Sequence, residues 1–327
     1  MSRATYFLKR TLQMGVVFVL ILTFLFFLFR LLPGDATALM VKEGADPETI
    51  AAFRERWRLD EPMHVQFYYY VTNLLSGDAG SSIRYQVPVW EFVKFRMLNS
   101  AILIAPAVTA GFLIGSVSGT IYGWGSSFVE RVGITFAIFV GTIPLFFWSI
   151  LAILTFGSWL DWVPTAGMTS PTLTRESWWG IYLTWDFARH YVLPFSVIAL
   201  AYSGLPTLLM TTSVKEIIEQ GFSEYYRITG MPDRVRMMRY ARHASLPVIT
   251  FYPLALTRAI GGLVLVEMVF NWPGMGFALV RAVLLRDYPV AQFVFLLIAA
   301  FILVSNFVVD IVYGIIDPRV SVGSDSS

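Results

Sequence analysis

The chain has no cysteine, which excludes disulfides, thiolate catalysis and cysteine-held zinc or iron–sulfur centres. Histidine occurs only at His64, His190 and His243, far apart and with no His-x-x-x-His or His-Glu pair on a helix, so no metal site is expected. Lysine occurs only at Lys9, Lys42, Lys94 and Lys215, never after glycine. A phosphate-cradling loop of the form Gly-x-x-x-x-Gly-Lys-Ser/Thr is therefore missing, and any ATP hydrolysis must come from another polypeptide. Charged residues make up 14% of the 327, where soluble proteins carry about a quarter. Their formal balance of +2 gives no field of one sign, and no nucleic-acid partner is expected.

What the chain has is apolar bulk: 56% hydrophobic residues, with 27 Phe, 15 Tyr and 10 Trp, and a mean hydropathy of +0.65. A bilayer core about 30 Å thick needs roughly 20 apolar residues per helical span. Six runs meet that length, at about Leu12 to Leu32, Ala101 to Gly123, Val132 to Phe156, Tyr191 to Thr212, Val248 to Phe270 and Ala291 to Ile315. None alternates like a membrane barrel strand, so the expectation is an all-α integral membrane protein with six transmembrane helices. The first run exceeds a signal-peptide core and is read as a retained helix.

Short flanks set the orientation. Arg3, Lys9 and Arg10 precede the first span without an acid, which puts the N-terminus in the cytoplasm, and six spans return the C-terminus to the same side. The connection 213–247 then lies inside, and it carries Lys215, Arg227, Arg234, Arg236, Arg239 and Arg242. The expected organisation is a tail with the first helix (1–32), an external segment (33–99), a five-helix core (100–316) and a C-terminal tail (317–327). Outside, Asp46-Pro47-Glu48 opens a short helix towards Arg58, and Leu75 to Gly80 is a turn. In 213–247, Val214, Ile217, Ile218 and Phe222 share helical spacing, Gly230-Met231-Pro232-Asp233 breaks it, and Val235, Met238 and Ala241 resume it. Tryptophans 159, 162, 178, 179 and 185 read as interfacial anchors, with substrate stacking the alternative.

Ionisable groups inside a membrane are costly and so are functional candidates. Arg258, Glu267 and Asp310 qualify, with Asn306 one turn before Asp310; they are expected on the translocation path or in polar contacts between helices. Glu267 and Asp310 lie near span ends, where water can reach. Gly111, Gly115, Gly119 and Gly123 form a stripe that permits close helix packing, against a neighbour either in this chain or in a second one.

Glu224-Tyr225-Tyr226, then Gly230, then Leu246-Pro247 resemble the coupling motif of permease subunits of ATP-binding-cassette importers, a cytoplasmic Glu-Ala-Ala with glycine six residues after the glutamate and Leu-Pro beyond. In order along the chain, Arg30 to Asp35, Leu59-Asp60-Glu61-Pro62 with Gln66-Phe67, Gly77-Asp78, Glu267 to Gly276, Arg286 to Val290, Asn306 to Asp310 and Asp317-Pro318-Arg319 are similar to a permease of the oligopeptide, dipeptide and nickel branch. The chain departs from the pattern in Tyr225 and Tyr226, which replace alanines, and in a stretch from Gly230 to Pro247 one residue short.

The resemblance implies the type I importer transmembrane fold and a subunit without catalytic residues, metal or cofactor of its own. It implies a second homologous permease, two ATPase subunits holding ATP and Mg, an extracytoplasmic substrate-binding protein on the external segment, and lipid around the spans. It assigns the ATPase contact to Phe222, Glu224, Tyr225, Tyr226, Gly230, Met231 and Pro232. The implied solute is a peptide, with oligosaccharide or nickel chelate as alternatives. A membrane-embedded transferase would need acids or histidines clustered at one depth, and Asp60, Glu61 and Asp78 are spread among turn signals. A secondary transporter would show related halves, and no inverted repeat is evident.

Overall fold

A computed structural model of the chain describes residues 3–31, 41, 44, 46–171 and 179–316, with side chains except at 3–7, 49, 53, 56, 221, 222, 309, 310 and 312–316. Among the described residues, the regular structure is helical apart from one isolated bridge between Ser81 and Pro88. The α-helices are α1 (Arg3–Leu31), α2 (Pro47–Arg56), α3 (Met63–Leu75), α4 (Val89–Trp124), α5 (Ser127–Thr142), α6 (Leu145–Ala152), α7 (Trp185–Glu219), α8 (Gly221–Ile228), α9 (Asp233–Ala244), α10 (Leu246–Val269), α11 (Met275–Leu284) and α12 (Tyr288–Ile316). Segments of α1, α4, α7, α10 and α12 are each long and apolar enough to cross a bilayer, and α5 with α6 supplies a sixth span when taken as a pair. The chain divides into two compact units, Met1–Ser100 with Pro273–Ser327, and Ala101–Trp272.

The third span corrects the sequence expectation of one helix from about Val132 to Phe156. Its halves, Ser127–Thr142 and Leu145–Trp159, meet at 94°. Proline has no N–H for the helical ladder, and its ring drives the preceding residue out of the helical region. Ile143 is accordingly extended at ψ 129° and Pro144 at ψ 137°. The indole N–H of Trp148 donates to the Val140 carbonyl at 3.4 Å, meeting one need left by the break. Beyond Ala152 the helix widens into a π turn, Ile153–Trp159.

In the unit Ala101–Trp272 the glycine stripe finds its neighbour within this chain. A Cβ added at Gly111, Gly115, Gly119 or Gly123 of α4 would stand 2.6, 2.5, 2.4 or 2.7 Å from the carbonyl oxygens of Ala199, Ser203, Thr207 and Thr211 on α7. Only a hydrogen fits there, so the two backbones lie against each other. The approach brings side chains of one helix to the backbone of the other: the Thr211 hydroxyl donates to the Gly119 carbonyl at 3.3 Å, and Ser118 and Thr207 hydroxyls sit 3.0 Å apart. Gly204 of α7 is as tight, 2.8 Å from the Ala137 carbonyl of α5 at its missing Cβ. The core around this contact runs from Leu103 and Val108 through Met210 and Val214 to Val266 and Trp272.

In the other unit, α1 lies along α12 with Leu22, Leu25 and Leu296 buried between them and Phe67 and Tyr70 of α3 packed against them. The start of α4 packs Val89 and Val93 onto Met275 and Leu279 of α11 and Val290 and Val294 of α12. Burial pushes the Tyr70 phenol up to about 12, against the opposite pull of a Gln292 hydrogen bond and the Arg30 guanidinium, so the ring stays neutral at physiological pH.

Two outcomes are expected. Gly119→Val should lower the stability of the detergent-solubilised protein by about 3 kcal/mol, the upper part of the usual overpacking range; Gly15→Ala, in open space on α1, should leave it unchanged in the same thermal-unfolding assay. With the N-terminus inside, a cysteine at exposed Ser76 reacts with an impermeant thiol reagent in intact cells, and cysteines at exposed Ser126 and Thr229 react only after permeabilisation. The opposite pattern would reverse the orientation.

Candidate functional site

The segment 213–247 divides differently from the sequence reading. α7 does not end with its apolar run but continues through Ser213 to Glu219, burying Val214 and Ile217. Gln220, extended at ψ 146°, ends it, and α8 starts afresh at Gly221. The expected single helix from Val214 to Phe222 is therefore the tail of a span followed by a separate eight-residue helix.

α8 closes on a cap that needs glycine. The Gly230 N–H donates to the Arg227 carbonyl at 3.2 Å and the Met231 N–H to the Tyr226 carbonyl at 3.3 Å. Those two bonds satisfy carbonyls that a helix end leaves over, and they require a left-handed residue between them, here Gly230 at φ +70°. Pro232, at ψ 143°, then turns the chain into α9. The glycine six residues after the glutamate thus has a defined task, which is to stop α8 and free the chain for α9.

The two faces of α8 differ. Inward, the Ser223 hydroxyl lies 2.7 Å from that of Tyr240 on α9, and the Tyr226 ring sits 6.0 Å from the Tyr240 ring with the Arg239 guanidinium 5.2 Å above Tyr226. Outward, Glu224 is exposed, with Tyr225 at 65% and Ile228 at 77%. Met231 is half-buried and Pro232 exposed; the Phe222 side chain lies outside the described ones. On α9, Val235 and Met238, expected on the buried side, are exposed, and Tyr240 and Ala244 are buried instead. Tyr240 sets that register because its ring has two aromatic partners, Tyr226 and, at 5.7 Å, Trp124 at the end of α4. Lys215 of α7 pairs with Glu130 of α5 at 2.9 Å beside this group.

The four polar residues expected along the path fall two in each unit, Arg258 and Glu267 in Ala101–Trp272 and Asn306 and Asp310 in the other. Arg258 and Glu267 lie nine positions apart on α10, about two and a half turns, and so point to opposite sides. Arg258 is exposed, within electrostatic range of Tyr202 on α7. Glu267 is fully buried in its unit, contrary to the expectation that water reaches it. Asn306 is exposed on α12; Asp310 continues that helix, with its side chain outside the described ones.

A family model described as binding-protein-dependent transport system inner membrane component matches residues 107–322, and one for the N-terminal part of such membrane components matches residues 3–95. The chain belongs to this family. Glutathione transport system permease protein GsiC of Salmonella choleraesuis (strain SC-B67) is 32% identical over 317 residues, 96% of this chain and 98% of that protein. GsiC of Pectobacterium atrosepticum is 31% identical over 320 residues and that of Escherichia coli K12 29% over 317, with the same shares covered. The protein is thus a multi-pass inner-membrane permease of an ATP-binding-cassette importer, in the oligopeptide and dipeptide branch, and is not itself an enzyme. Such permeases work with ATPase and substrate-binding partners.

Several motifs that carry the resemblance are fasteners in this permease. The buried Gln66 amide donates to the carbonyls of Leu59 at 3.2 Å and Glu61 at 2.8 Å, fixing the turn into α3, and Phe67 meets Phe26 of α1 edge-on at 5.2 Å. Arg30 stacks on Phe26 and Trp57, and a Cβ at Gly80 would fall 2.2 Å from the Trp57 ring. Asp287, between α11 and α12, is buried and accepts from the Ser82 hydroxyl, the Ile83 N–H at 3.1 Å and the Arg84 N–H at 3.4 Å. Sequence reasoning had Asp287 in a motif but no role for it, because its partners lie about 200 residues away. Ile228 was missed too, although an isoleucine opposite the Ser223 and Tyr226 side of so short a helix was the available signal.

Without its carboxylate, the loop at Ser82 to Arg84 loses its anchor and should open locally. Asp287→Ala is expected to loosen the loop enough for trypsin added outside to cut after Arg84, while the native loop is held against the protease, as read by the size of the fragments. Equal resistance of both proteins would show that the loop is held by other means.

Proposed function

We propose that this permease forms half of a translocation path, the other half coming from a second, homologous permease, and that α8 is the contact through which a separate ATPase subunit drives it. The observation that carries this reading is the outward face of α8, where an exposed carboxylate, Glu224, stands beside two exposed apolar side chains, Tyr225 and Ile228, on a helix ended sharply by Gly230. An exposed isoleucine and tyrosine flanking a carboxylate suit a groove with a basic rim and an apolar floor. Phe222, Tyr226, Met231 and Pro232 are assigned to the same contact segment. One ATPase per permease gives two ATPase subunits, each binding its own ATP and Mg, with no cofactor in this chain. An extracytoplasmic binding protein delivers the solute to the external segment 33–99. Both termini are cytoplasmic.

The solute class is peptide, and glutathione is the first compound to try, since the relatives above are named for glutathione transport. Oligosaccharides and nickel chelates serve as competitors in the same uptake assay. Arg258, Glu267, Asn306 and Asp310 are assigned to the translocation path or to polar contacts between helices.

Reversing the contact tests the reading. Permease with Glu224→Arg and Ile228→Asp should insert normally, fail to co-purify with the ATPase subunits and lose about tenfold or more of solute uptake, the effect of at least 1.4 kcal/mol at the contact. Normal uptake with the ATPase still bound would place the coupling contact elsewhere.

A further inference from the structure

α8 has little to hold it. It is eight residues long, bounded by extended Gln220 on one side and left-handed Gly230 on the other, so neither neighbouring helix continues into it. A helix of that length does not resist displacement by itself. What moves with it is decided by the side chains on its inward face, and both described ones, Ser223 and Tyr226, meet the same residue.

That residue is Tyr240. It is 1% exposed, the second largest of the fully buried side chains, in a helix whose other residues are mostly polar. Its hydroxyl is 2.7 Å from Ser223 and its ring 6.0 Å from Tyr226. The ring also lies 5.7 Å from Trp124, the last residue of α4, whose indole carries the Arg236 guanidinium at 5.5 Å. Arg239 covers Tyr226 at 5.2 Å. Three aromatic rings in series, with an arginine over each of the outer two and the middle one buried, join α8, α9 and the end of α4, and a close-packed interior passes a displacement on to its neighbours. α4 in turn lies backbone to backbone on α7 along Gly111 to Gly123.

We propose that Tyr240 is the positioning residue that carries movement of α8 to the end of α4. A push on the outward face of α8 passes through Tyr226 and Ser223 to Tyr240, from Tyr240 to Trp124, and so to the α4 and α7 pair. The tyrosine at 226, where the family pattern has a small alanine, is the piece that spans the gap to Tyr240. The inference rests on the reading of α8 as the ATPase contact and adds the route inward from it.

The test uses the permease assembled with its ATPase subunits in lipid vesicles, with spin labels on cysteines placed at Ser126, just past α4, and at Thr229, at the end of α8, in this otherwise cysteine-free chain. If Tyr240 joins the two helices, the label separation is the same in the nucleotide-free and the ATP–vanadate-trapped protein. In Tyr240→Ala the separation diverges between the two states, and glutathione uptake per ATP hydrolysed falls about tenfold while the ATPase subunits stay bound. Tyr240→Phe, which keeps the ring and loses the bond to Ser223, retains the constant separation. A wild-type separation that changes on trapping overturns the proposal, as does Tyr240→Ala with unchanged uptake per ATP. Should Tyr240→Ala fail to assemble, Trp124→Leu removes the other side of the contact and is read in the same way. ATPase subunits that bind the Glu224→Arg, Ile228→Asp permease as well as the wild type overturn the α8 reading itself; a changing separation with that binding lost in the face variant overturns the Tyr240 step alone.

Discussion

Backbone contact between α4 and α7 is the constraint on which the Ala101–Trp272 unit depends. In a bilayer there is little hydrophobic gain from bringing two apolar helices together, because lipid tails are as apolar as leucine. Association has to come from close packing, and four missing side chains supply it, since a single methyl group at any of them would fall within 2.7 Å of a carbonyl oxygen. Once the axes are that close, Ser118, Thr207 and Thr211 can meet across the seam. Gly204 repeats the device on α5, so α7 is held on two sides by backbone.

Motif and geometry explain each other in the remaining unit. Gln66, Arg30 and Asp287 are each part of a run that is similar to the family pattern, and each ties one turn of chain to a helix. Their effect is to fix where helices begin and end where apolar packing alone would leave that open. An acid such as Asp287 can be buried because three donors from one loop converge on it.

The helical type of the apolar runs was legible because a run of bilayer length has only one way to satisfy its backbone. Less was legible about where helices break. Pro106, Pro194 and Pro206 sit inside continuous helices, and Pro144 ends one. A proline removes one hydrogen bond in every case, and tertiary packing decides whether the helix bends or stops. The glycine stripe announced a close neighbour without naming it, since periodicity fixes a face and not the partner. Within the candidate site, Glu224 and Gly230 could be found from spacing, and the Schellman bonds give that spacing its cause. The buried side of α9 could not, because Tyr240 overrides the apolar pattern of Val235 and Met238 by having two aromatic neighbours from other helices. Arg258 and Glu267 were grouped by chemistry alone, and half a helical turn separates their directions.

The length of α7 has a mechanical consequence. Thirty-five residues at 1.5 Å each make a rod of about 52 Å, while the hydrocarbon it crosses is about 30 Å thick. Its final turns carry Lys215, Glu216 and Glu219, charges that belong beyond the headgroups, so part of the surplus stands out in water at that end. α8 follows the end of this rod after the single extended residue Gln220. If α8 is the contact for a separate ATPase, as proposed, a stroke there is applied at the end of a rod longer than the hydrocarbon is thick, and the surplus length serves as a lever arm.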